Sequence, residues 1–131
     1  MSKLKQNNST HFNHKNDLLM SCPCCGKGTL SISILMFLEA AREHFGVPIV
    51  VTSGARCRKH QMEVNPDAPS SRHIVDKDND WTSDAVDFKV LGVNESKVRA
   101  YINRLPYRNL LGVGKYVGRT HVDTRGVRAR W

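Results

Sequence analysis

The sequence predicts a small α+β domain in which an antiparallel sheet is packed by helices. Three observations carry this reading: two segments with apolar residues at helical spacing, short β-branched runs bounded by turn residues, and two C-terminal strand-like runs around Val117-Gly118. A chain of 131 residues with 40% hydrophobic and 24% charged residues has the size and composition of a single globular domain.

Along the chain, residues 1–17 lack apolar periodicity and are expected to form a flexible or loosely packed arm, tied down only if Phe12 or Leu18 packs. Residues 18–131 then make the domain. From Ser31, the residues Ile34, Leu38, Ala41 and Phe45 recur at helical spacing, and Gly46 and Pro48 supply a stop, which predicts a helix over 31–45. The run PIVVT from Pro48 to Thr52 reads as a buried strand that turns at Ser53-Gly54. Ala55 to Ser83 holds Pro66, Pro69 and many Asn, Asp and Ser, and reads as a long loop of the kind that carries function. Ala85, Val86, Phe88 and Val90 suggest a second strand. Asn94 caps a helix whose Val98, Tyr101, Ile102 and Leu105 share one face before Pro106 ends it. Leu111 to Tyr116 and Arg119 to Asp123 read as a hairpin.

Twenty Lys plus Arg against twelve Asp plus Glu give a net charge of +8, which favours polyanionic partners. The longest mainly apolar stretch, Ile32 to Ala41, contains Ser33 and Glu39 and falls far short of the roughly 20 residues that cross a bilayer. The basic, then polar N-terminus has no apolar core, so no secretory signal is expected. Cys22, Cys24 and Cys25 cluster and Cys57 stands alone; a thiol metal site, a disulfide and buried thiols all remain open, and the C-x-C-C spacing is not that of a standard zinc knuckle. A structural role is the expectation. The cysteine cluster could also mark a small basic nucleic-acid-binding protein, but its Lys and Arg are dispersed and it has no recognition motif.

A catalytic metal site needs three nitrogen or oxygen donors on different elements and a fourth position left open. His73, closing Ser71-Arg72-His73, Asp87 in Ala85-Val86-Asp87-Phe88, and His121 in Thr120-His121-Val122-Asp123 are such a set. Each residue alone has an ordinary reading as a hydrogen-bonded histidine or a strand-end carboxylate. Residues two apart on a strand share a face, so Arg119, His121 and Asp123 are expected to look into one cleft.

The ordered blocks Ser53-Gly54-Ala55-Arg56, Ser71-Arg72-His73, Ala85-Val86-Asp87-Phe88 and Gly112-Val113-Gly114 leading to His121-Val122-Asp123 resemble the D-alanyl-D-alanine metallopeptidase family. That family includes peptidoglycan carboxypeptidases, L-alanyl-D-glutamate endopeptidases and phage endolysins, and is related in fold to the hedgehog domain. The resemblance implies a zinc site in a cleft on the sheet, with His73, Asp87 and His121 as ligands. Arg56 matches the arginine that meets a substrate carboxylate or carbonyl, and Ser71 is expected with it on the substrate side. The implied function is zinc-dependent hydrolysis of peptidoglycan stem peptides, by a monomer made in the cytoplasm and acting on the wall after release. The alternative is a non-catalytic zinc-binding interaction domain.

Two departures from the family pattern stand out. His73 and Asp87 are fourteen apart, Ser83 takes a glycine's place, and Asp80, seven from His73, is a rival ligand. The inserted residues 74–82 carry alternating carboxylates that faintly resemble a calcium loop, but Trp81 stands where that loop needs glycine. Much of the family places an acidic base three residues before the last histidine, and here that residue is Gly118. Asp123 is then the best base candidate and Arg119 a candidate for stabilising an oxyanion, with Asp123 equally suited to orienting His121 or Arg119.

Overall fold

The structure is a computed structural model that describes residues 6–68 and 70–131; the first five residues of the expected arm lie outside the described residues. Its centre is a five-stranded sheet in the order β2 (Ile49–Ser53), β4 (Ala85–Val90), β6 (Arg119–Asp123), β5 (Gly112–Tyr116), β7 (Ala129–Arg130). A second, two-stranded sheet joins β1 (Thr29–Leu30) to β3 (Thr82–Ser83). Among the described residues three α-helices complete the fold: α1 (Ile32–Phe45), α2 (Arg58–Val64) and α3 (Glu95–Ile102).

Helix α1 begins where Ser31 Oγ accepts the backbone N–H of Ile34 at 3.2 Å, and stops at Gly46, whose φ of 67° only glycine adopts without strain. Its buried residues Ile34, Leu35, Phe37, Leu38 and Ala41 form one face and join Val86, Phe88 and Val90 of β4 and Val122 of β6 in the core. Phe37 meets Phe88 edge to face at 5.6 Å. Helix α3, capped by Asn94 as expected, adds Val98 and Ile102.

Strand alternation then separates two chemistries. In β4 the residues 86, 88 and 90 enter the core, which turns Asp87 to the other face. In β6, Val122 enters the core and Arg119, His121 and Asp123 turn the same way as Asp87. Asp87 sits directly opposite His121 in the antiparallel β4/β6 pair. One face of the sheet therefore makes the core, and the other displays the polar set.

The antiparallel sheet expected from the sequence gains two short parallel pairings, β5 with β7 and β1 with β3. Each involves two-residue strands, too short to show alternation. The expected long loop from Ala55 to Ser83 contains helix α2, which has no apolar face to announce it. Of its seven residues only Gln61 is buried, while Met62 and Val64 are exposed.

Residues 6–17, read from the sequence as a loosely packed arm, are held against α1 and β1. Of the two possible anchors Phe12 packs, at 1% exposure, and Leu18 does not, at 71%. Buried His14 accepts the Leu30 N–H through Nε2 at 3.0 Å, Asn7 N–H donates to Thr29 Oγ1 at 2.7 Å, and Ser9 and the backbone N–H of His11 both donate to Glu39 at 2.6 Å. Polarity hid this packing, because the segment is fastened mainly by hydrogen bonds and a single aromatic ring.

Phe12→Ala is expected to lower unfolding free energy by about 3 kcal/mol, and Leu18→Ala by less than about 0.5 kcal/mol. Urea denaturation of the two variants checks this; equal small effects would contradict the packing of the segment.

Candidate metal centre

The site is assembled from β4, β6 and the loop that follows α2. That loop is pinned to the turn after β2: Arg56 N–H donates to the His73 carbonyl at 2.8 Å, and Val75 N–H donates to the Arg56 carbonyl at 2.8 Å. Where the turn passes the N-terminal segment, a Cβ on Gly54 would lie 2.4 Å from the Met20 carbonyl oxygen, so only glycine fits. The Gly54 carbonyl lies 2.7 Å from His73 Nδ1. Since a carbonyl can only accept, Nδ1 carries the proton and Nε2 turns its lone pair to the site.

His121 is fixed in the complementary sense. Its Nε2 lies 2.8 Å from Asp123 Oδ2, so the proton sits there and the Nδ1 lone pair faces inward. His121 Nδ1 is 2.9 Å from Asp87 Oδ1, His73 Nε2 is 3.3 Å from the same oxygen, and the two ring nitrogens are 3.3 Å apart. All three residues are buried. Three lone pairs with their protons turned outward repel one another unless a cation sits among them. Two imidazoles and a carboxylate form a donor set that suits a divalent transition metal.

Burial alone pushes the Asp87 carboxyl up, but the His121 and His73 imidazoles beside it outweigh burial and hold the group well below the usual carboxylate range. For His121 burial pulls the pKa down, while the Asp123 and Asp87 carboxylates win and raise it above 6.5. Without metal the cluster thus keeps a proton on His121 to higher pH than a free histidine does. A metal must displace that proton, so affinity should fall as pH drops through the raised His121 value.

Around this cluster lie two cations. Arg56 Nη2 and Arg119 Nε each lie 3.6 Å from Asp87 Oδ2. Arg56 is further held by Ser53 Oγ at 3.0 Å and Gln61 Oε1 at 3.1 Å, and Arg119 lies over the Tyr116 ring at 4.3 Å. With His60, Val64 and Pro23 they line a cleft of 470 Å³ that reaches Asp87.

Asp123 faces the site as strand periodicity implies, but it is not placed as a base. It is completely buried, and both its oxygens are taken by Arg125, at 2.7 and 2.8 Å, with His121 on one of them. A Cβ on Gly112 would lie 2.5 Å from Asp123 Oδ1 and 2.6 Å from Arg125 Nε, so glycine leaves room for this pair. Burial pushes the Asp123 carboxyl up, and the Arg125 and His121 hydrogen bonds pull it back far below its ordinary value. Such a carboxylate is a poor proton acceptor, and it orients His121 instead.

Ser71 is also not in the cleft. Its hydroxyl accepts the His73 N–H at 3.3 Å, and it lines a neighbouring depression with Arg72, Asp76 and Asp84. Its role is to hold the backbone that carries His73. Asp80 is exposed in a turn with φ 54° and lies outside the cluster, so the insertion leaves Asp87 as the third donor. Among the described residues, Asp76, Asp78 and Asp80 do not converge into a calcium-like group; Asp76 caps its own turn at Asp78 N–H, 2.9 Å, and pairs with Arg58 at 3.0 Å.

Sequence reasoning missed His60 and Gln61, which reach the site only because α2 forms. It also missed Trp131, whose ring centroid lies 5.1 Å from that of His121 and whose Nε1 donates to the Tyr116 hydroxyl. Arg125 had a faint signal, two residues beyond Asp123.

Two buried histidines and an aspartate with converging donor atoms, beside a cleft that Arg56 and Arg119 line and Asp87 reaches, make a site of the kind that holds a metal ion. The Peptidase M15 family model matches residues 10–123, and the chain belongs to that family of metallopeptidases. No curated protein and no solved structure matches the chain.

Asp123→Asn is expected to keep the fold and weaken metal binding by about 10–100-fold, measured by competition with a chromogenic chelator. Unchanged affinity would show that Asp123 does not orient His121.

Proposed function

We propose that the protein is a zinc-dependent peptidase that hydrolyses the stem peptides of peptidoglycan, as a D-Ala-D-Ala carboxypeptidase or an L-Ala-D-Glu endopeptidase. The observation that carries the reading is the pairing of three inward lone pairs with two guanidinium groups. Stem peptides bear carboxylates at the D-Ala end and on D-Glu, and a guanidinium grips a carboxylate through two parallel hydrogen bonds.

His73 Nε2, Asp87 Oδ1 and His121 Nδ1 would hold the zinc. Two imidazoles and one carboxylate are a donor set that zinc takes, and three protein donors would leave a fourth position open. When bound, zinc supplies Lewis-acid activation of water and of the scissile carbonyl. Arg56, the more buried guanidinium, fixes the substrate carboxylate. Arg119, more exposed and stacked on Tyr116, offers its charge to the carbonyl oxygen as negative charge develops there.

Proton transfer falls to His60. Gly118 has no side chain to take a proton, and Asp123 is locked by Arg125. His60 lines the cleft with Asp87 and Arg56, and among the described residues its buried Nδ1 has no hydrogen-bond partner. Glu63 Oε2 lies 3.9 Å from that nitrogen.

The chain charge of +8 favours accumulation on the anionic wall. The protein works as a monomeric phage-type lysin, made in the cytoplasm and reaching the wall on release. The empty position at Gly118 favours a second reading, a zinc-binding interaction domain without turnover.

Purified protein incubated with peptidoglycan, with zinc and then with chelator, is expected to release either D-Ala or stem peptides only when zinc is present, as read by mass spectrometry. No zinc-dependent fragment of either kind would leave the interaction-domain reading. Arg56→Ala should raise KM about 10–100-fold, the worth of a charge-assisted contact of about 1.5–3 kcal/mol. His60→Gln should lower kcat about 100-fold with bound zinc unchanged; normal kcat would remove His60 from the mechanism.

A further inference from the structure

The four cysteines converge at the other side of the cleft wall. Sγ of Cys22 lies 3.5 Å from that of Cys24 and 3.6 Å from that of Cys57, and Cys24 and Cys57 are 3.2 Å apart. Cys25 completes a group whose sulfurs all lie within 4.8 Å of one another. All four are free thiols. Four sulfurs bound to one zinc at about 2.3 Å each stand roughly 3.8 Å apart at the corners of a tetrahedron. The separations here fall near that value, and the sulfurs are too close together to surround an iron–sulfur cluster.

The backbone around them is shaped as a knuckle. Cys22 N–H donates to the Lys27 carbonyl at 2.8 Å, and Gly26 N–H donates back to the Cys22 carbonyl at 2.7 Å. Gly26 has φ 72°, a left-handed conformation that favours glycine, and this turn curls Cys22, Cys24 and Cys25 round one point. Cys57 comes from the start of α2, where its sulfur also accepts the His60 N–H at 3.4 Å.

We propose that Cys22, Cys24, Cys25 and Cys57 hold a second, structural zinc ion, distinct from the His73, Asp87 and His121 centre. Four thiolates saturate the ion and leave no open position, which is the mark of a structural site. On binding, each sulfur forms a bond to zinc and gives its proton to solvent; no electrons are exchanged. The resulting centre carries two negative charges, and Lys27, Arg58 and Lys59 adjoin its ligands in the chain.

The position of the site gives it a task. Cys57 follows Arg56 directly, and Pro23, between Cys22 and Cys24, lines the same cleft as Arg56. The zinc staples the knuckle to the start of α2, which would otherwise be tied by few apolar contacts because Gln61 is its one buried residue. It thereby fixes the wall that carries Arg56 and His60. The role of that wall rests on the peptidase reading, whereas the metal itself does not.

Native mass spectrometry with elemental analysis tests the proposal on the full chain purified under reducing conditions. Wild type is expected to carry a second equivalent of zinc, and the His73→Ala, His121→Ala double variant should keep one. A mercurial thiol reagent added to that double variant should release the remaining zinc as the four thiols titrate. Replacing the metal of the double variant with cobalt should give strong thiolate-to-cobalt charge transfer, a readout that needs no cysteine variant to fold. A double variant without metal, iron in place of zinc, or an intact mass lowered by disulfide formation would each overturn the assignment. Failure of peptidoglycan cleavage alone would leave these readouts untouched, so the two claims fail separately.

Discussion

The pairing of Asp87 with His121 across β4 and β6 is the constraint on which the rest of the site depends. A carboxylate buried to this degree costs several kcal/mol in desolvation unless its oxygens find partners. Asp87 Oδ1 meets His121 and His73, while Oδ2 faces Arg56 and Arg119. These partners come from three segments: β6 brings His121 and Arg119, the turn after β2 brings Arg56, and the loop after α2 brings His73. The register of one antiparallel pair delivers His121, and the bridge between Arg56 and Ile74 delivers Arg56 and His73 together. A one-residue slip of β6 would turn His121 into the core and Val122 into the cleft.

Behind that pairing stands an outer layer which decides where protons sit. The Gly54 carbonyl and the Asp123 carboxylate each take one imidazole N–H, so both histidines present lone pairs inward. Arg125 in turn neutralises Asp123 in the interior. The family's usual acid is absent at Gly118, and the nearest acid in the chain is spent on orientation. The proposed proton transfer therefore falls to α2, an element that has almost no core of its own, with Gln61 its one buried residue.

Much of this was legible in the sequence, for physical reasons. Helix α1 declared itself through Ile34, Leu38 and Ala41 with Gly46 as its stop, and the hairpin through Val117-Gly118 between alternating runs. Strand parity alone placed Arg119, His121 and Asp123 on one face, and the family resemblance joined Asp87 to His73 and His121. What the sequence could not disclose was contact between remote segments. Asp123 has the right parity for a base, and only the position of Arg125 makes it an orienting residue. Ser71 sits beside His73 in the chain, yet its hydroxyl turns to the backbone. Helix α2 has no apolar stripe, so periodicity was silent about His60. Phe12 is a lone aromatic in a polar segment, and nothing local marks it as buried.

The most direct test of the central claim is a crystal structure of the zinc-loaded protein with diffraction recorded on both sides of the zinc absorption edge. An anomalous peak bounded by His73 Nε2, Asp87 Oδ1 and His121 Nδ1 is the predicted result. Zinc bound elsewhere in the molecule, with those three side chains still in contact and metal-free, would contradict it.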